Sequence, residues 1–201
     1  MVDSSISHRN HSNLNQRIAH RVRELRTAAG LSLEALASSA GVSRSMISVI
    51  ERGESSPTAV VLEKLATGLG VTLAALFEPS QVAAAPVARL QAQPQWRDPE
   101  SGYIRRNVTP GGSDWPTQIV EVRFPAGARV AYETAGRRVR VDQQVWVLEG
   151  AIDVAVGSDR FQLQSGDCLA FVLDRPVAFH NRARRPARYA VVVTSRPDIR
   201  G

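Results

Sequence analysis

Cysteine is almost absent from this chain: Cys168 is the only one among 201 residues. A single thiol excludes an internal disulfide and any multi-cysteine zinc site. Lysine is just as scarce, with Lys64 alone, so nearly all the basic charge is arginine. No apolar run approaches the roughly 20 residues needed to cross a bilayer, which excludes a helical membrane span. The opening residues, Met1 to His8, lack the basic-then-apolar layout of a secretion signal. The expected location is therefore the cytoplasm, and Asn107-Val108-Thr109 is not read as a glycosylation acceptor. No internal repeat of solenoid period occurs.

What is present is enough apolar residue for ordinary cores, at 43% of the chain, which argues against wholesale disorder. The formal net charge is +6, unevenly placed. Through Ser80 there are 8 basic and 7 acidic residues, or +1, and the remainder carries 17 and 12, or +5. The length and a change of texture near residue 80 divide the chain in two. Residues 1–13 are polar and without periodicity and read as a flexible tail. Residues 14–78 have a helical period, residues 79–86 read as a linker, and residues 87–201 alternate as short strands do.

In the first half, Ile18, Val22, Leu25 and Ala29 share one helix face, and Gly30 stands where a left-handed C-terminal residue belongs. Ser32, Ser43 and Thr72 are placed to cap further helices, and Ser56-Pro57 reads as an N-cap with proline at the first helical position. Five short helices are expected. The segment Gly41-Val42-Ser43-Arg44-Ser45-Met46-Ile47-Ser48-Val49-Ile50-Glu51-Arg52-Gly53 is the most informative. A glycine turn and a serine cap lead into a short helix with aliphatic residues on one side. Ala37 is small where that helix would pack, Gly41 tolerates positive φ, and Val42, Ile47 and Ile50 plug into a core. A helix built this way is anchored by its back and offered by its front.

With Leu25-Arg26 and Glu51-Arg52-Gly53 beside it, this segment closely resembles the λ-repressor-like helix-turn-helix domains of the XRE family. The resemblance runs from about Leu14 to Phe77. It implies that Arg44, Ser45 and Val49 meet base edges, with Ser43 and Ser48 beside them. The amides after Ser32 would hold a phosphate. At Leu33 many relatives carry glutamine, so one side-chain contact is missing there. Arg52 reads either as a DNA contact or as a solvated charge at the helix end. The family pattern pairs Arg26 with Glu51 inside the domain, which makes those two structural.

The second half resembles a cupin, a double-stranded β-helix or jelly roll. The resemblance rests on Phe124-Pro125-Ala126-Gly127-Ala128, Val147-Leu148-Glu149-Gly150, and Gly166-Asp167 followed by Pro176 and Asn181. Enzymatic cupins hold a metal with three histidines and a glutamate. Here the matching positions fall at Gln143, near Arg137 and Val139, and at Val177, and His180 is the only histidine in the domain. A facial triad cannot be assembled from these, so neither metal nor other cofactor is expected. Asp142, His180 and a water remain as a weak alternative.

A metal-free barrel keeps a concave interior suited to a ligand. Tyr132, Arg137, Gln143, Val177 and His180 are the expected effector-binding residues, and an inward arginine would suit an anion. The alternative is that Arg137, Arg138 and Arg140 face solvent, since a slip of one residue in register exchanges the two faces of a strand. The run Arg182, Arg184, Arg185 and Arg188 reads as charge on an exposed edge strand, and Cys168 reads as packing.

The fold class expected is therefore an α domain followed by an all-β domain. The function expected is a non-enzymatic, sequence-specific transcriptional regulator. It would bind paired half-sites of double-stranded DNA as a homodimer or higher homo-oligomer and respond to a small molecule. A metal-dependent cupin enzyme with a regulatory helical domain, or a cupin that only dimerises, are the alternatives.

Overall fold

The structure, a computed structural model, describes residues 4–78, 86–112, 115–133 and 140–196. The helical half contains α1 (Ser4–Ala28), α2 (Leu33–Ala40), α3 (Arg44–Glu51) and α4 (Ala59–Leu69), then a 3₁₀ helix at Leu73–Phe77. The first helix thus begins within the stretch expected to be a tail. The fifth helix is 3₁₀ rather than α for a local reason. Gly70 ends α4 in the left-handed conformation and Glu78 is already extended. Too few residues remain between them for more than a tight turn.

Caps at three expected positions are made. The hydroxyls of Ser32, Ser43 and Thr72 accept from the amides of Ala35, Met46 and Ala75. The cap of α4 is displaced from its expected place: Thr58, not Ser56, accepts from the amide of Val61. Gly41 turns the chain at φ 61°, and its amide donates to the Ala37 carbonyl. Ile18, Val22, Leu36, Ile47, Ile50, Leu62 and Leu65 close the helical core. Each such burial is worth about 1.5–3 kcal/mol relative to exposure. At the crossing of α2 and α4, a Cβ on Gly68 would stand 2.8 Å from that of Ala40, so only glycine allows this approach.

Among the described residues the second half has ten strands. These are β1 (Gln95–Arg97), β2 (Ile104–Asn107), β3 (Thr117–Phe124), β4 (Arg129–Tyr132), β5 (Arg140–Glu149), β6 (Ala151–Val156), β7 (Asp159–Gln164), β8 (Cys168–Val172), β9 (Val177–His180) and β10 (Ala187–Arg196). They form a six-stranded sheet in the order β1-β2-β3-β10-β5-β8 and a four-stranded sheet in the order β4-β9-β6-β7. Every pairing is antiparallel. Alternation along β5 sends Val141, Gln143, Val145 and Val147 inward, opposite Val154 and Phe179 of the smaller sheet. The result is a β-rich, cupin-like domain.

Two expectations about this half are corrected. β10 lies in the middle of its sheet, so Arg188 protects no edge. It pairs instead with Glu121 and Glu149. Cys168 is exposed, because β8 is itself the edge strand and its outer face is uncovered.

The two halves are packed together. Phe77 of the 3₁₀ helix meets Trp96 of β1 with centroids 5.5 Å apart, and Trp96 meets Tyr103 at 5.8 Å. Asp98, almost fully buried, accepts from the Ala59 amide at the start of α4 at 2.9 Å. Its other oxygen accepts from the amide and hydroxyl of Ser101. Thr72 donates to Gln118, and Gln118 donates to Glu78. Buried apolar residues of both halves belong to one continuous cluster.

Candidate nucleic-acid interface and an interdomain cavity

The helix α3 is held from behind. Ile47 and Ile50 are fully buried against α1 and α2. Arg26 of α1 clamps Glu51 at the end of α3 with two hydrogen bonds, of 2.6 and 2.9 Å. Its third nitrogen donates to the Leu31 carbonyl at 2.8 Å. Both side chains are largely buried, so the pair is a strut between helices, as expected.

The front of α3 is open. Arg44, Ser45 and Met46 are exposed, and Ser48 and Val49 are half-buried at the margin. Arg44 is about two-thirds exposed, and its nearest carboxylate, Glu34, is 3.8 Å away and more exposed still. Such a surface pair is weak and leaves the guanidinium available. Ser43 caps α3 and shares a hydrogen bond with Ser45, so its hydroxyl is committed to the turn. Ser32 is similarly committed to capping α2, whose first amides face outward beside it. Leu33 packs against the core.

Arg52 is engaged rather than free. It makes a two-pronged pair with Glu54 at 2.8 Å and a hydrogen bond to Ser48. The hydrogen bond with Glu54 raises the arginine's pKa and lowers the carboxylate's. Met46, 43% exposed beside Arg44, escaped sequence reasoning, because a methionine in a short amphipathic helix looks like core.

Residues 22–76 match the family described as helix-turn-helix, HTH_3. This chain carries an HTH_3 (XRE-family) helix-turn-helix domain. Along 88% of its length it is 28% identical to the HTH-type transcriptional regulator SutR of Escherichia coli, covering 94% of that protein. It is also similar to an HTH_3 family transcriptional regulator of Vibrio cholerae, solved as a crystal structure. The TM-score there is 0.73 at 27% identity, over 91% of this chain and 97% of that one. A cupin domain from an XRE family transcriptional regulator of Enterobacter cloacae is similar at 16% identity and a TM-score of 0.42. It spans 46% of this chain and 95% of that domain.

Behind the HTH_3 domain, the mouth of the cupin-like barrel holds a cavity of about 70 Å³. Its barrel walls include Tyr103, Arg105, Tyr132, Gln143, Val177 and Tyr189. Glu63 of α4 and Thr72, Leu73 and Ala74 of the 3₁₀ helix close the other side. The cavity is therefore shared between the domains. Burial raises the pKa of all three tyrosines, those of Tyr132 and Tyr189 well above the ordinary value, so they are neutral phenols at neutral pH. The Tyr103 and Tyr132 hydroxyls are hydrogen-bonded at 3.1 Å.

Of the expected effector residues, the structure brings Tyr132, Gln143 and Val177 together in this cavity. His180 is not among them. It lies on the outer side of β9, by Arg129, Asp153 and Arg182, and its Nδ1 accepts from Arg182. The reason is parity: Val177 and His180 are three residues apart on one strand and so face opposite ways. Arg137 falls outside the described residues. Tyr103, Arg105, Tyr189 and Glu63 are lining residues that the sequence reading missed.

The donors in this cavity do not fit a metal. Neither imidazole nor thiolate points in among the described residues, and the lining holds one carboxylate, Glu63, together with a guanidinium, Arg105. No group of three or more metal-ligating side chains occurs among the described residues. No described helix is long and apolar enough to cross a membrane.

Proposed function

We propose that this protein is a sequence-specific DNA-binding transcriptional regulator, working in the cytoplasm, whose cupin-like half senses a small molecule. The observation that carries this reading is α3, with its aliphatic back sealed in the core and Arg44 and Ser45 open to a partner. Seated in a major groove, Arg44 would reach guanine O6 and N7, and Val49 with Met46 would touch thymine methyls. Ser45 and Ser48 border the same face, and the amides after Ser32 would meet a phosphate. Arg52, already paired, acts by holding the end of the helix and its following loop.

With Leu33 apolar and the domain close to neutral, a single copy has few contacts with which to hold DNA. The working form is a homodimer presenting two such helices to half-sites about one helical turn apart. The similarity to proteins named as HTH-type transcriptional regulators supports this reading. The cavity chemistry favours a sensor over a metal-dependent enzyme. That rival requires about one tightly bound metal per chain, which elemental analysis of untagged protein would find.

Selecting random duplex DNA with the purified chain tests the function. The expected result is a paired motif with a fixed half-site spacing. Recovery of no shared motif, at both low and moderate salt, overturns the reading.

A further inference from the structure

Arg105 stands on β2 between Tyr103 and Asn107 and is 7% exposed. Its Nε has no hydrogen-bond partner among the described residues. Its guanidinium carbon lies 5.2 Å from the centre of the Phe77 ring, at the end of the 3₁₀ helix of the helical half. Burial pushes its pKa down, and the groups opposing that push are Tyr103, Tyr132 and Tyr189 rather than any carboxylate. An arginine keeps its proton even so. A buried cation lacking an anionic partner is strongly unfavourable, and a helix-packing role alone would be met better by an aliphatic residue.

What completes such a site is an anion, and the surroundings describe it. The cavity has room for roughly five water molecules. Away from Arg105 its walls are mainly apolar, with Val122, Phe179 and Val191 among them; Gln143 and the tyrosine hydroxyls add neutral polar groups, and Glu63 of α4 is the one acidic residue in the lining. Bare inorganic ions would leave the apolar wall unsatisfied, and a volume of about 70 Å³ suits a small organic anion.

We propose that this interdomain cavity is the effector site, and that it takes a small organic carboxylate whose anionic end pairs with Arg105. The inference deepens the sensor reading given above and rests on it. It also supplies a route to the DNA-reading half. The arginine that grips the ligand is the one that leans on Phe77, and Leu73 and Ala74 of the same 3₁₀ helix form the cavity wall. Ligand in the cavity therefore changes what holds the HTH_3 domain against the barrel.

The test uses the full-length chain, with sodium butyrate and sodium lactate as probes and butyramide as the neutral control. A carboxylate is expected to raise the melting temperature in a saturable way and butyramide is not. In Arg105→Gln the rise should disappear, with apparent affinity at least tenfold weaker. If that variant does not fold, the Arg105 Nε–H resonance of the unaltered protein gives the same answer, moving with butyrate and not with butyramide. Equal effects of butyrate and butyramide, retention of the effect in Arg105→Gln, or no response of melting temperature and resonance to either carboxylate each overturn the proposal. None of these readouts involves DNA, so failure here and failure of the duplex selection are separate results.

Discussion

Replacing Asp98 with alanine should loosen the joint between the two domains. Its Oδ1 is the acceptor for the Ala59 amide, which is buried at the first position of α4. Leaving that donor unsatisfied costs about 1–3 kcal/mol. The Ser101 amide also loses its acceptor, but it is only part-buried, so about 0.5–1.5 kcal/mol is lost there. Removing a negative charge from the start of a helix adds about 0.3–1 kcal/mol. The total is about 3.5 kcal/mol, which for a chain of this length lowers the melting temperature by roughly 7–14 °C. Differential scanning calorimetry should show the drop and a split or broadened transition as the halves uncouple. Asp98→Asn, keeping one acceptor, should lose about half as much. A single transition within about 2 °C of the unaltered protein would refute the account of Asp98 as the bridge.

Arg44→Ala should lower discrimination between the selected site and its single-base variants by roughly 1–3 kcal/mol at one position. Equal weakening on all duplexes in a binding titration would assign Arg44 to phosphate instead. Gly68→Ala should destabilise by about 1–2 kcal/mol. The forced separation from Ala40 outweighs the gain in helix propensity, and a raised melting temperature would contradict this. Burial alone would raise the Glu121 pKa, but the hydrogen bond from Arg106 and the charges of Arg106, Arg188 and Arg123 hold it below its ordinary 4.5. Its contribution is therefore complete above about pH 4.5 and is lost as the pH falls through the lower folded-state value. Glu121→Gln should lower the melting temperature at neutral pH, with the gap to the unaltered protein closing below about pH 4.5. A gap that stays constant through that range would exclude the ionised carboxylate as its source.

The helix-turn-helix was legible because its determinants are local. The Gly41 turn, the Ser43 cap and the Ile47–Ile50 spacing lie within ten residues and depend on nothing distant. The start of α4 was less legible. Ser56-Pro57 has the right residue types, but Thr58 makes the cap and the next amide finds its acceptor in Asp98, 39 residues away. The barrel's inward residues were readable where strands alternate, as at Gln143 and Val177. Parity along β9 would also have excluded His180 from their company. Arg105 was hidden by its neighbours: Ile104-Arg105-Arg106-Asn107 has no apolar alternation to mark a face. Its burial is decided by Phe77 and the tyrosines, all brought to it by the fold.

The aromatic seam from Phe77 through Trp96 to Tyr103 bears on how this chain could be re-engineered. Grafting a foreign sensor onto the DNA-reading half by cutting near residue 80 would strip Phe77 of its cover and expose oily surface to water. A workable hybrid must carry Trp96, Asp98 and Arg105 across the splice, or replace all three with an equally fitted set. The breakpoint that keeps both parts soluble therefore lies in side chains rather than in the connecting backbone.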